Sequence, residues 1–278
     1  MSETTSVIQA RASRSPVTIP AIVLVVLSAL YVPLRATMES PTVSDALYNG
    51  AYLYGTALQI MLALVIVAVA ITIGMKQSVG RQWLLLGLGV TMYAIGDICW
   101  TLFDLFLEID PYPSIADAFY VAEYAFFLAA LLLAIRAYSG LVETKRPLIA
   151  GVLVAAVGFG VVYAVLLQPY ILSASLEELG GTWGKIVSIL YPVGDVVLML
   201  APAVALALVV RQLGAGRLAR PWWVVVAGAL VFALIDSFFV YAEWAGTGLT
   251  WWMDIGYLTA NLLFAIAALV AKDAYRIT

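Results

Sequence analysis

Carboxylic side chains recur inside long apolar runs of this chain, at Asp97, Asp104, Asp117, Glu123, Asp195, Asp236, Glu243 and Asp254. A carboxylate in hydrocarbon without a cationic neighbour is costly, so such groups are expected to be protonated or turned toward a protein-lined, watered hollow. Their spacing is helical. Asp97 and Asp104 stand seven residues apart, as do Asp236 and Glu243, which places each pair on one helix face about two turns apart. Asp117, Tyr120 and Tyr124 follow at i, i+3 and i+7, and Asp254, Tyr257 and Asn261 repeat that pattern. Tyr48 with Tyr52, and Tyr191 with Asp195, form related pairs. Glu123 has no acidic counterpart at Ala260 and marks one wall. Such oxygens could take up protons or a hard cation. Alternatively the tyrosines and acids satisfy one another as polar glue, a contact worth only about 0.6 kcal/mol on average in membranes.

The elements that must position these groups are membrane helices. With 278 residues, 64% hydrophobic and 11% charged, and a mean hydropathy of +1.03, the chain is too apolar for a soluble globular surface. At 1.5 Å rise per residue a span needs roughly 20 apolar residues. Eight are predicted, at about 17–36, 46–74, 83–107, 115–138, 147–169, 184–210, 221–245 and 250–271. Arg11 and Arg14 precede the first run as they would a secretory signal, but Pro20, the length of the run and the acidic loop after Ala36 favour a retained helix. Of the 14 Lys and Arg residues only Arg35 and Lys185 fall on the far side of the bilayer, so both termini are expected in the cytoplasm. The acids and tyrosines then all lie in the outer half, in a pocket facing away from the cytosol. Trp83, Trp222 and Trp223 are expected at the inner interface, and Trp183, Trp244, Trp251 and Trp252 near the outer one.

The chain reads as two similar halves. Arg81, Trp83, Asp97 and Asp104 match Arg220, Trp222, Asp236 and Glu243 at a spacing of 139, and Asp117, Tyr120 and Tyr138 match Asp254, Tyr257 and Tyr275 at 137. Tyr48 and Tyr191 begin the corresponding earlier spans. The expected architecture is an all-α integral membrane protein of eight transmembrane helices arranged as a tandem 4+4 parallel pseudo-repeat. Residues 16–140 form the first repeat and 146–276 the second, behind a polar, disordered N-terminus at 1–15. An even number of spans per repeat sends the copy in with the same orientation, so the pseudo-twofold axis runs along the membrane normal. On the fifth span, Gly151 with Ala155 and Ala156 with Gly160 form small-xxx-small pairs suited to close packing within the chain.

Several functions are excluded by composition. No histidine is present, which removes His-bound zinc, the usual haem ligation and the Ser-His-Asp triad. Lysines occur only at 76, 145, 185 and 272, near helix ends or in loops, leaving no mid-span Schiff-base position for retinal. The lone Cys99 forms no intrachain disulfide, and the dispersed basic residues make no nucleic-acid footprint. No cofactor is implied, and the partners implied are the lipid bilayer and a separate signalling protein.

One segment carries a family likeness. Gly96-Asp97-Ile98-Cys99-Trp100, then Asp110-Pro111-Tyr112-Pro113-Ser114-Ile115-Ala116-Asp117-Ala118-Phe119-Tyr120, resembles the multi-spanning membrane regions found ahead of histidine kinase or diguanylate cyclase modules in archaea and bacteria. The likeness covers about residues 96 to 135 and implies a sensory input domain. Only a few residues follow the eighth span here, so the expectation is a stand-alone sensor that passes its signal to another protein. A carboxylate-coupled transporter is the alternative, with Pro192 and Gly194 breaking the sixth span. Gly96-Asp97 and Gly194-Asp195 also resemble the Gly-Asp elements of intramembrane aspartyl proteases. The glycine expected two residues earlier is Ala94 or Pro192, and no Pro-Ala-Leu element follows, so no catalytic residues are assigned.

Overall fold

A computed structural model describes residues 18–38, 40, 42–213, 218–246 and 251–275. The proposed disordered segment 1–15 lies outside the described residues. The described chain is all-helical, with eight helices long and apolar enough to cross a membrane. They are α1 (Thr18–Thr37), α2 (Asp45–Ile73), α3 (Ser78–Leu107), α4 (Ala116–Tyr138), α5 (Lys145–Ile171), α6 (Gly181–Arg211), α7 (Arg220–Trp244) and α8 (Trp252–Ala274). Helices are what such apolar stretches must form, because lipid offers no partner for an open backbone N–H or C=O. Each lies close to its predicted span.

The ends follow from local chemistry. Ser44 caps α2, its hydroxyl accepting from the Leu47 amide at 3.3 Å with Asp45 in the first turn. Gly74 ends α2 at φ +112°, a conformation L side chains rarely adopt. Three spans depart from ideal α geometry, with π-helical segments at Leu102–Leu107, Tyr163–Ile171 and Asp195–Leu200. The last lies just beyond Pro192, whose missing N–H removes a backbone donor from α6.

Packing is centred on α3 with α4 and on α7 with α8. Helix α2 lies against α3 and α8, α6 lies against α4 and α7, α1 rests on α2 and α8, and α5 rests on α6. Helix α6 is the most enclosed span and α5 the least, with Val152, Val157 and Val161 of α5 turned outward toward lipid. Gly151 packs against the Ala201 carbonyl and the Ala205 methyl of α6, whereas Gly160 faces open space.

One expectation is corrected. Trp83 and Trp222 are buried, not spread at an interface, and their rings stack 5.0 Å apart. A large ring between two helix pairs removes more surface from lipid than it would in a belt. Trp223, Trp183 and Trp252 are partly exposed, as an aromatic belt requires.

Candidate functional site

Two glycines let the site close up. A Cβ on Gly96 would sit 2.5 Å from the Tyr120 ring, and a Cβ on Gly194 would sit 2.9 Å from the Tyr124 ring. Bare backbone at these points lets α4 press its tyrosines against α3 and α6, next to Asp97 and Asp195. The Gly-Asp dipeptides therefore have a packing reason that requires no proteolytic chemistry.

Between the helices lies a cavity of about 170 Å³. Its carboxyl groups are Asp97 of α3, Glu123 of α4, Asp236 of α7 and Asp254 of α8, and its one cation is Arg35 of α1. Arg35 donates through Nε to Asp254, which gives this acid a basic neighbour. Asp254 is 41% exposed and Arg35 13%, which places the ion pair at the rim. Arg35 is engaged by Asp254, and among the described lining residues no other cation stands beside Asp97, Glu123 and Asp236. Asp97 lies beside Thr56, which shares a 2.8 Å hydrogen bond with Thr101. Glu123 is only 1% exposed, and its Oε1 has no hydrogen-bond partner among the described residues. Leaving a buried acceptor unmatched costs about 1–3 kcal/mol.

Around Asp236 the oxygens outnumber the hydrogens. Tyr257 donates its hydroxyl to Asp236 Oδ1. The Tyr124 hydroxyl lies 2.9 Å from Asp195 Oδ1, 3.1 Å from Asp236 Oδ2 and 3.2 Å from the Tyr191 carbonyl. One hydroxyl hydrogen faces three acceptors and can fully satisfy only one. Asp195 is fully buried beside Asp236, and the two carboxyls face one another.

The remaining sequence-predicted residues separate into lining and sealed positions. Tyr120, Tyr124, Tyr191 and Tyr257 line the cavity. Asp117 does not: it is buried, accepts from the Ser114 amide at 2.5 Å as part of the cap of α4, and accepts from the Tyr191 hydroxyl. Asp195 is likewise sealed behind Tyr124. Asp104 meets the Tyr52 hydroxyl near the C-terminal end of α3. Glu243 is half-buried and outside the lining; Asn261, also outside it, is fully buried and its amide donates to Gln59 Oε1 at 3.1 Å. The polar-glue reading fits Asp117, and the pocket reading fits Asp97, Glu123 and Asp236.

Tyr52, paired with Tyr48 in the sequence, faces the hollow, and other lining groups were not anticipated: Tyr31, Tyr93, Trp100 and Gln59 face it together with Arg35. Tyr93 lies four residues before Asp97 and so on its helix face, and Gln59 is a polar residue in an apolar run; both signals are present in the letters. The loop between α3 and α4 folds inward through Tyr112, which shares a 2.8 Å hydrogen bond with Ser188 and packs against Tyr191 and Trp244. Burial pushes the Tyr112 phenol well above its ordinary range.

Among the described residues no cluster of three or more acidic or sulfur ligands is close enough to hold a metal ion. Comparison of the chain with family models, curated proteins and solved structures finds no match.

Proposed function

We propose that this chain is a multi-pass sensor-type protein of the cell membrane, with both termini cytoplasmic and the cavity open to the outer side. It binds a proton, a cation or a small ligand there and passes the change to a separate signalling protein. The observation that carries the reading is the hollow itself, in which Asp97, Glu123 and Asp236 stand without a cation and Glu123 Oε1 stands without a hydrogen-bond partner. Groups so placed change their interactions when a positive charge arrives, and the helices that bear them would repack.

The proposed 4+4 duplication is supported by contacts between residues at the repeat spacings. Trp83 stacks on Trp222, Phe127 and Phe264 have ring centroids 4.8 Å apart, and the Tyr138 and Tyr275 hydroxyls are 2.6 Å apart. Contacts between equivalent residues are what a pseudo-twofold axis between the proposed halves would produce.

The test is a fluorescence titration of the protein in lipid nanodiscs with protons and with a divalent cation, comparing Asp97→Asn and Asp236→Asn with the parent. Trp100 lines the cavity and supplies the signal. Both variants are expected to keep the fold and shift the titration midpoint at least threefold. Unchanged curves in both would refute the pocket reading. A transporter is the second reading, favoured by the Pro192 and Gly194 interruption of α6 beside lining residue Tyr191. Solute flux in proteoliposomes down an imposed gradient would select it, since a sensor moves none.

A further inference from the structure

We infer that the ligand of this cavity is a small organic ammonium ion, a positively charged nitrogen carrying an aliphatic body, and not a bare metal cation. The inference rests on the pocket reading above and narrows it.

Three properties of the wall select that chemistry. The first is charge. Once Arg35 and Asp254 are paired, the uncompensated groups are Asp97, Glu123 and Asp236, so the hollow favours a cation over an anion or a zwitterion. Glu123 adds a buried, unmatched acceptor that an N–H or a close positive charge would satisfy.

The second is the arrangement of the acids. A hard divalent ion takes about six to eight oxygens at roughly 2.3–2.6 Å. Among the described residues no three acidic groups approach one another closely enough to begin such a shell. The carboxyls are distributed around the wall, an arrangement that suits a ligand with volume and defeats a point charge.

The third is the surface between the acids, which is aromatic. Tyr93 is the hub, with ring centroids 5.1 Å from Tyr120, 5.9 Å from Tyr257 and 5.5 Å from Phe232. Trp100 and Phe239 continue the wall at 6.1 Å from each other. Ring faces attract a cation within about 6 Å of the centroid, and they accept methyl or methylene groups that a hydrated metal ion cannot offer. The combination of ring faces with carboxyls therefore recognises an alkylammonium head. Size sets the upper bound: about 170 Å³ is below the roughly 300–1,000 Å³ of drug-sized sites, so the body is short.

Choline and its uncharged carbon isostere, 3,3-dimethylbutan-1-ol, separate charge from shape, and calcium separates organic from inorganic cations. Each is titrated against the full chain in nanodiscs, reading Trp fluorescence and confirming stoichiometry by calorimetry. Saturable choline binding at least tenfold tighter than that of the alcohol is expected, with calcium producing no saturable change. Glu123→Gln is expected to weaken choline at least fivefold; Tyr93→Phe, which keeps the ring, is expected to change it less than threefold, and Tyr93→Leu to weaken it at least fivefold. Equal affinity for choline and the alcohol would overturn the inference. A response to protons or calcium with none to choline would overturn it while leaving the pocket reading intact. Silence toward every probe would remove both.

Discussion

Single atoms decide the shape of this site, and substitutions that change one group test it most directly. The Tyr124 hydroxyl sits between Asp195 and Asp236, 2.9 Å from the one and 3.1 Å from the other, so Tyr124→Phe leaves two buried carboxyls side by side without it. A loss of about 1–3 kcal/mol in stability is expected, read as a lowered thermal midpoint in a fixed detergent. Tyr163→Phe, on the lipid-facing side of α5, is expected to stay within about 0.5 kcal/mol. Gly96→Ala places a methyl 2.5 Å from the Tyr120 ring and is expected to cost about 1–3 kcal/mol, whereas Gly140→Ala meets nothing within 4 Å and is expected to be neutral. At this scale the letters reveal Asp97, Glu123 and Asp236, because a carboxyl within an apolar run needs a reason. They conceal the closures at Asp117 and Asp195. The partner of Asp117 lies 74 positions away in sequence and that of Asp195 lies 71 away, so only tertiary packing assigns them. Arg35 is concealed for another reason: a single basic residue at a helix end reads as a loop charge until Asp254 is seen beside it.

Helices differ in how far sequence describes them. Hydropathy places every span to within a few residues of its observed bounds, since length and apolarity are the physical requirements of crossing a bilayer. The π-helical segments are not legible, because widening a turn by one residue leaves composition unchanged. Small-residue spacing on α5 gives half of the answer: it identifies Gly151 as a contact with α6 and marks Gly160, which faces open space, in the same way. Leucine at the two positions should therefore behave differently. Gly151→Leu forces α5 away from the Ala201 carbonyl and is expected to lower the thermal midpoint clearly, at a cost of about 1–3 kcal/mol, while Gly160→Leu leaves it unchanged. Equal loss in both variants would indicate that α5 packs differently from the arrangement described.

Across the whole molecule the orientation rests on the distribution of basic residues, and topology can be labelled directly. In a Cys99→Ser background, Ile109→Cys in the loop after α3 is expected to react with a membrane-impermeant maleimide added to intact cells. Leu141→Cys, 70% exposed in the loop between α4 and α5, is expected to react only after lysis. The reverse pattern would invert the protein and turn the cavity to the cytosol. The proposed duplication also has a consequence for counting. Met253, Asp254 and Leu258 line the hollow, whereas the residues 137 positions earlier, Ala116, Asp117 and Val121, are outside its lining, Asp117 being engaged by the Tyr191 hydroxyl. The hollow draws Asp97 and Tyr120 from one proposed repeat and Asp236 and Tyr257 from the other, so saturation is expected at one equivalent per polypeptide, where two separate grooves would give two.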